Sequence, residues 1–393
     1  MPSDSEAQGR RRGLWLALAL ALCALLLASV ARFYHPGVGF SALLIIPTGH
    51  EYEIPALQRI PHYEYPPQIA YDGSMYVQLA MDPLLRDPAI DRALDAPAYR
   101  ARRILFCWTA YAMGLGRPAW ILQTFALQNV LSWLILAWLI TRWFPLTSPR
   151  FFALWVGSMF SHGLLMSVRM SLLDGPSLLL LASAVAASER GRRWLASVVL
   201  AIAGLGRETN LLGALGLPWP VGWRGWLKTA GAGILIVLPL VIWQDYIWSI
   251  YRGTSASAGA DQLAVPFTAY AHKWRVTVEQ LRRGGFVSPA GYTLFVLLSV
   301  TVHVVFLAWT RAWREPWWRI AVAFALLILS AHWVVWEGQP GAVTRIGLPL
   351  KLGFNVLLAR YPPPFFWAWF LAGNLDLVAA HHSLPIIGVP VVL

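Results

Sequence analysis

The chain has 393 residues, 58% of them hydrophobic and 13% charged, with a positive mean hydropathy. Repeated apolar runs of about 20 residues exclude an ordinary soluble domain and point to a polytopic, all-α integral membrane protein. The formal charge of +12 does not indicate a nucleic-acid partner, because the basic residues gather at the ends of apolar runs, as positive-inside topology requires.

Arg10, Arg11 and Arg12 precede an apolar run from Gly13 to Ala31. The run is longer than a signal-peptide core and lacks a small-residue cleavage site, so it reads as an uncleaved span with a cytoplasmic N-terminus. Residues 32–103 then form a large external loop carrying eight of the chain's 19 acids. Pro55, Pro61, Pro66 and Pro67 keep its first half extended and turn-rich. From Asp72 the spacing of Tyr76, Leu79 and Ala80 predicts a short amphipathic helix ending at Pro83, with Asp72 as its N-cap. Ile104 to Leu115, about 18 Å as a helix, is too short to cross and is expected at the outer interface.

Spans are predicted at Ala119–Arg142, Phe151–Val168 and Leu172–Ala187, with Arg169 and Asp174 at the outer turn between the last two. Trp194 to Leu217 carries Arg207 and Glu208 at its middle, among Gly204, Gly206, Gly213 and Gly216. One full crossing here would invert every later loop and put Arg311, Arg314 and Arg319 outside. A broken, re-entrant helix repairs the charge pattern, and its backbone must then be buried in protein or line a cavity. Arg207 and Glu208 would lie near mid-membrane, as a functional pair or a mutual structural ion pair.

Residues 252–288 form a second external segment with an amphipathic stretch ending at Arg282 and Arg283. Further spans follow at Pro289–Trp309, Ile320–Trp336 and Ile346–Leu358, with Glu337 to Arg345 as an external turn, and a last apolar stretch covers Phe365–Val378. The whole chain, 1–393, thus reads as one membrane domain of eight to ten spans. His162, His303 and His332 lie in apolar spans without metal-ligand spacing, and read as hydrogen-bonded core residues. Tryptophans at span ends, such as Trp243, Trp248, Trp317 and Trp318, read as interfacial anchors. Cys23 and Cys107 have no partner spacing for a disulfide framework or zinc.

This topology puts Asp72, Arg169, Asp174, Glu337 and Arg345 on one face, with Arg207 and Glu208 approaching from within the membrane. A carboxylate ringed by arginines suits a reaction on a phosphate-bearing lipid: the acid accepts a hydroxyl proton and the arginines bind phosphate by forked hydrogen bonds. The Tyr71-Asp72-Gly73 segment to Tyr76, Leu79-Ala80-Met81-Asp82-Pro83, Tyr99-Arg100 leading into Arg103-Ile104-Leu105, Gly206-Arg207-Glu208-Thr209 and Thr344-Arg345 before Pro349-Leu350 together resemble the GT-C superfamily of membrane glycosyltransferases, and bacterial members of it in particular.

The resemblance implies an inner-membrane enzyme that moves a sugar from a polyprenyl-phosphate donor to an acceptor hydroxyl, on a glycan or a lipid, at the external face. Asp72 would then be the base and Arg345 a donor-phosphate ligand, with Arg103, Arg169, Asp174, Arg207, Glu208 and Glu337 around the substrate. The superfamily often pairs acids in this loop, and Glu51 with Glu53 matches that form better than Asp72 does. A divalent metal bridging Glu51 or Glu53 and the donor phosphate is compatible with the loop. The alternatives are a transporter or flippase of an anionic lipid-linked substrate, with Arg207 and Glu208 as its site, and an assembly factor without catalysis.

Overall fold

The computed structural model describes residues 4–49, 52–252, 262–286 and 288–380. Glu51 and the pair His381 and His382 lie outside the described residues. The architecture is helical, as the apolar periodicity predicts. Among the described residues the sheet content is one two-residue parallel pairing, Ile46–Pro47 against Glu64–Tyr65, with Ile46 opposite Glu64.

Four helices among the described residues are long and apolar enough to cross a membrane: Arg12–Ala31, Pro118–Arg142, Gly222–Ile250 and Pro289–Thr310. A fifth is added if Pro149–Met159 and His162–Arg169, bent by 47° at their junction, count as one span. Arg193–Gly206 and Pro316–Leu329 are apolar but have 14 residues each, about 21 Å at 1.5 Å per residue, less than a bilayer's hydrocarbon thickness. Several helices open on proline, including those starting at Pro149, Pro289 and Pro316, where the missing N–H would have had no helical partner. Ser148 adds a cap, its Oγ accepting from the Phe151 N–H at 3.4 Å.

The long helices leave apolar side chains uncovered. Trp223, Ile234, Val241 and Ile242 on Gly222–Ile250, and Leu14, Leu16 and Leu20 on the first helix, are all exposed. A soluble monomer rarely exposes contiguous apolar surface on this scale, and lipid is the solvent that suits it.

By contacts the chain divides into two compact units. One comprises residues 1–32, 133–166 and 262–392. Its interior is not purely apolar: Lys351 is ion-paired with Asp376, and both are buried. Beside them Asn355 and Asn374 exchange side-chain hydrogen bonds at 3.2 and 3.1 Å, and Asn355 also donates to Ser158 Oγ at 3.0 Å. His303 and His162 are core histidines as expected, bonded to Gly373 O at 2.7 Å and Thr344 Oγ1 at 3.0 Å, whereas His332 departs from that reading and is exposed. The anchor reading fails for Trp317, which is fully buried against Trp143. In the second unit Trp248 is exposed, but the reading fails for Trp243, whose ring is buried with its N–H on Ala101 O at 2.8 Å. Sequence position at a span end does not say which way an indole faces.

The second unit comprises residues 33–132 and 167–261. It holds the acidic loop, the short helices after it and the interrupted helix. Arg193–Gly206 ends at Arg207, which is extended, and a 3-10 segment Glu208–Gly216 follows. The chain then folds back: Arg193, at the start of the helix, donates to Pro218 O at 3.0 Å, just past the end of the 3-10 segment. At the break Asn210 Nδ2 donates to Ala203 O at 2.9 Å, a carbonyl that also accepts the Arg207 N–H, and near the return Ser188 Oγ donates to Gly216 O at 2.9 Å, so side chains pin both ends of the fold-back. Gly213 permits the tight packing, since a Cβ there would lie 2.4 Å from Leu181 Cδ1.

Candidate functional site

Asp72 sits at the first position of the helix Asp72–Met81. The expected N-cap role is corrected: the capping position is Tyr71, and no side chain caps this helix. Asp72 Oδ1 instead accepts from Arg100 Nη1 at 2.9 Å. Arg100 is buried, and its other donors grip Asp95 in a two-pronged pair, Nε to Oδ1 at 2.9 Å and Nη2 to Oδ2 at 2.8 Å. The hydrogen bond from Arg100 draws the Asp95 carboxyl below the ordinary carboxylate range, against partial desolvation. For Arg100 burial opposes the charge, but the Asp95 hydrogen bond and the two carboxylate charges outweigh it and raise its pKa. A carboxylic acid at the first turn is also favoured by the helix dipole.

Gly73 explains why the acid is followed by glycine. A Cβ there would lie 2.4 Å from Met170 O and 3.0 Å from Leu44 O, so only glycine lets the helix start settle on the turn after Arg169. That turn carries Ser171 at φ 49°.

The arginines expected to await a phosphate are already engaged. Arg103 donates from Nε to Glu208 Oε2 at 3.0 Å and from Nη2 to Tyr99 Oη at 2.6 Å, and it lies over the Tyr99 ring. Arg207 is ion-paired with Asp174. Arg207 and Glu208, adjacent in sequence, therefore pair outward to different elements rather than with each other. Arg169 is buried, donating to Ala42 O at 3.2 Å and Tyr65 Oη at 3.1 Å, with Phe33 stacked 4.3 Å from its guanidinium. The first two pairings bring four of the sequence-predicted residues, Arg103, Glu208, Arg207 and Asp174, together at the fold-back, while Arg169 is held on the loop by Ala42 and Tyr65.

Next to the Asp72 helix is a cavity of about 370 Å³. Ala70 and Ser74, flanking Asp72, line it together with Tyr52, Glu53, Arg92 and Asp95. Its wall mixes apolar side chains such as Ile46 and Met75 with a few polar groups, the make-up of a small-molecule site. Glu53 is buried, its Oε1 lying 3.4 Å from His62 Nε2. His62 escaped the sequence reading; its Nδ1 sits 2.9 Å from Ile60 O, which orients the ring, and the only sequence signal was a histidine between two prolines' turns and Glu64. Among the described residues no three His, Cys, Asp or Glu side chains gather closely enough to hold a metal ion.

Glu337 and Arg345 belong to the other unit, Glu337 directly after the Trp333–Trp336 helix and Arg345 on the short helix Val343–Ile346 that precedes Leu348–Arg360. Lys273, also missed in the sequence, is buried there and donates from Nζ to Gly338 O at 2.6 Å. Burial lowers the Lys273 pKa, with the Glu337 charge working against that shift. Thr344 is clasped by the His162 ring, and Gly163 leaves no room for a Cβ beside Thr344 O.

No protein-family model, curated protein or solved structure matches the chain.

Proposed function

We propose that the chain is a membrane glycosyltransferase of the GT-C kind, moving a sugar from a polyprenyl-phosphate donor to an acceptor hydroxyl on a glycan or lipid at the external face. In this reading it is a multi-pass protein of a bacterial inner membrane with a cytoplasmic N-terminus, and eight to ten crossings enlist the shorter apolar helices as well. The observation that carries the proposal is the Asp72–Arg100–Asp95 triad, in which a buried guanidinium holds the Asp72 carboxylate and also grips Asp95, a residue of the cavity wall.

In the reaction the acceptor hydroxyl oxygen bonds to the anomeric carbon as the bond from that carbon to the phosphate oxygen breaks. Asp72 takes the hydroxyl proton, and the leaving polyprenyl phosphate keeps the electron pair. Fixing the base in advance removes the orientational cost of finding it during the step. Arg103 and Arg207 supply positive charge for the phosphate, with Glu208 and Asp174 setting their directions. Glu53 in the cavity wall is the alternative acid, and a divalent metal, were one bound, would bridge Glu51 or Glu53 and the donor phosphate.

A second reading, a transporter or flippase of an anionic lipid-linked substrate, is favoured by one feature. The pairs Arg207–Asp174 and Arg103–Glu208 meet at the tip of the fold-back, where exchangeable ion pairs would serve a moving anion. Reconstitution with a polyprenyl-phosphate-linked sugar separates the two. Covalent transfer to an added acceptor is expected; translocation of the donor with no covalent product would overturn the enzyme reading in favour of the transporter.

A further inference from the structure

The helix Thr268–Gly284 presents two different faces. Ala269, Lys273 and Thr277, spaced four apart, are buried against its own unit. Three contacts fasten that side: Lys273 to Gly338 O, Tyr270 Oη with Thr301 Oγ1 at 2.6 Å, and Gln339 Nε2 donating to Gln280 Oε1 at 2.9 Å. The outer side carries Arg275, Arg282 and Arg283, all exposed, with His272 against Arg275 at 2.9 Å and Glu279 against Arg283. Three arginines to one glutamate leave this face positive.

Its ends are apolar and uncovered. Val265 and Phe267 precede the helix at 71% and 55% exposure, and Phe286 follows it at 72%. Four residues separate Gly284 from Pro289, where the Pro289–Thr310 helix begins, one of those long and apolar enough to cross a membrane. At no more than about 3.6 Å per residue, Gly284, which follows Arg282 and Arg283, stays within roughly 18 Å of that membrane-length helix. A helix with a cationic face, aromatic side chains at both ends and a membrane span next in the chain has the make-up of one lying along a bilayer surface.

We infer that the outer face of Thr268–Gly284 is a docking surface for anionic lipid headgroups, with Arg275, Arg282 and Arg283 on the phosphates and Phe267 and Phe286 in the interface. The inference rests on the membrane reading but not on the glycosyl transfer. Through Lys273 and Gln280 the bound headgroups would steady the 337–341 turn that leads to Arg345.

The test is hydrogen exchange of the full chain in two bilayers, phosphatidylcholine alone and phosphatidylcholine with phosphatidylglycerol. Amides of 268–284 are expected to exchange roughly fivefold more slowly, or slower still, in the anionic bilayer, since each arginine near such a surface contributes about 1 kcal/mol. The triple variant Arg275→Gln, Arg282→Gln, Arg283→Gln should exchange alike in both, and Glu279→Gln should enlarge the difference. Exchange over 289–310 is the check that each variant is folded. Equal exchange of the natural chain in the two bilayers, a triple variant that keeps the slowing, or a Glu279→Gln variant that does not enlarge it would overturn the assignment. Exchange is read without any turnover, so a failure of the glycosyltransferase reading leaves this result standing on its own.

Discussion

Asp72 Oδ1 and Arg100 Nη1 lie 2.9 Å apart, and the same guanidinium holds Asp95 with its two remaining edges. One buried cation on the helix Pro97–Ala101, 28 residues after Asp72, thus ties a helix start to the loop at Asp95. Arg100→Gln leaves two carboxylates facing each other without it. Because Asp72 is about a third exposed and Asp95 about half, solvent screens much of that loss, and the expected destabilisation is about 1–3 kcal/mol, read as thermal unfolding in detergent. Unchanged stability would mean that the triad does not hold the loop.

The same triad gives a pH dependence. The Asp95 carboxyl is lowered by its Arg100 hydrogen bond in the folded chain, so its contribution to stability is present above the unfolded carboxylate pKa of about 3.9 and is lost as pH falls through the folded value. Natural protein should lose stability more steeply than Asp95→Asn below about pH 4. Parallel acid profiles for the two would contradict the pairing.

Gly73→Ala sets a Cβ against two backbone carbonyls that cannot swing aside, and is expected to destabilise by about 1–3 kcal/mol. Gly13→Ala, in a helix with nothing within 4 Å of the new atom, should be neutral or stabilising by up to about 1 kcal/mol. The comparison by thermal unfolding isolates the close approach from any general effect of replacing glycine.

The ion pair of Lys351 and Asp376 is buried, so removing one partner strands the other's charge. Lys351→Met and Asp376→Leu should each cost about 3–5 kcal/mol, while the double variant should recover most of the loss. Two single variants that are as stable as the natural chain would show the pair to be idle.

Much of this was readable from local pattern. The Asp72 helix, the prolines that open later helices and the break at Arg207 all rest on short-range rules of spacing, φ restriction and charge topology. What the pattern could not give was pairing at a distance. Arg207 and Glu208 are neighbours in the chain, but their partners are Asp174 and Arg103, 33 and 105 residues away by subtraction of their numbers. Asp72 met every local criterion for a cap, yet Arg100 claims its carboxylate. Lys351 and Asp376 passed unnoticed because Lys351 lies singly in an apolar helix and Asp376 in the turn between two others, and only packing brings them together.

The central claim is that the Asp72 carboxylate receives the acceptor proton, and its most direct test is transfer from a polyprenyl-phosphate-linked sugar by membranes holding Asp72→Asn. The amide keeps size and can still stand beside Arg100, but it cannot accept that proton. The account predicts a loss of about a hundredfold or more with membrane insertion and thermal stability little changed. Full transfer by Asp72→Asn would contradict it and turn attention to Glu53.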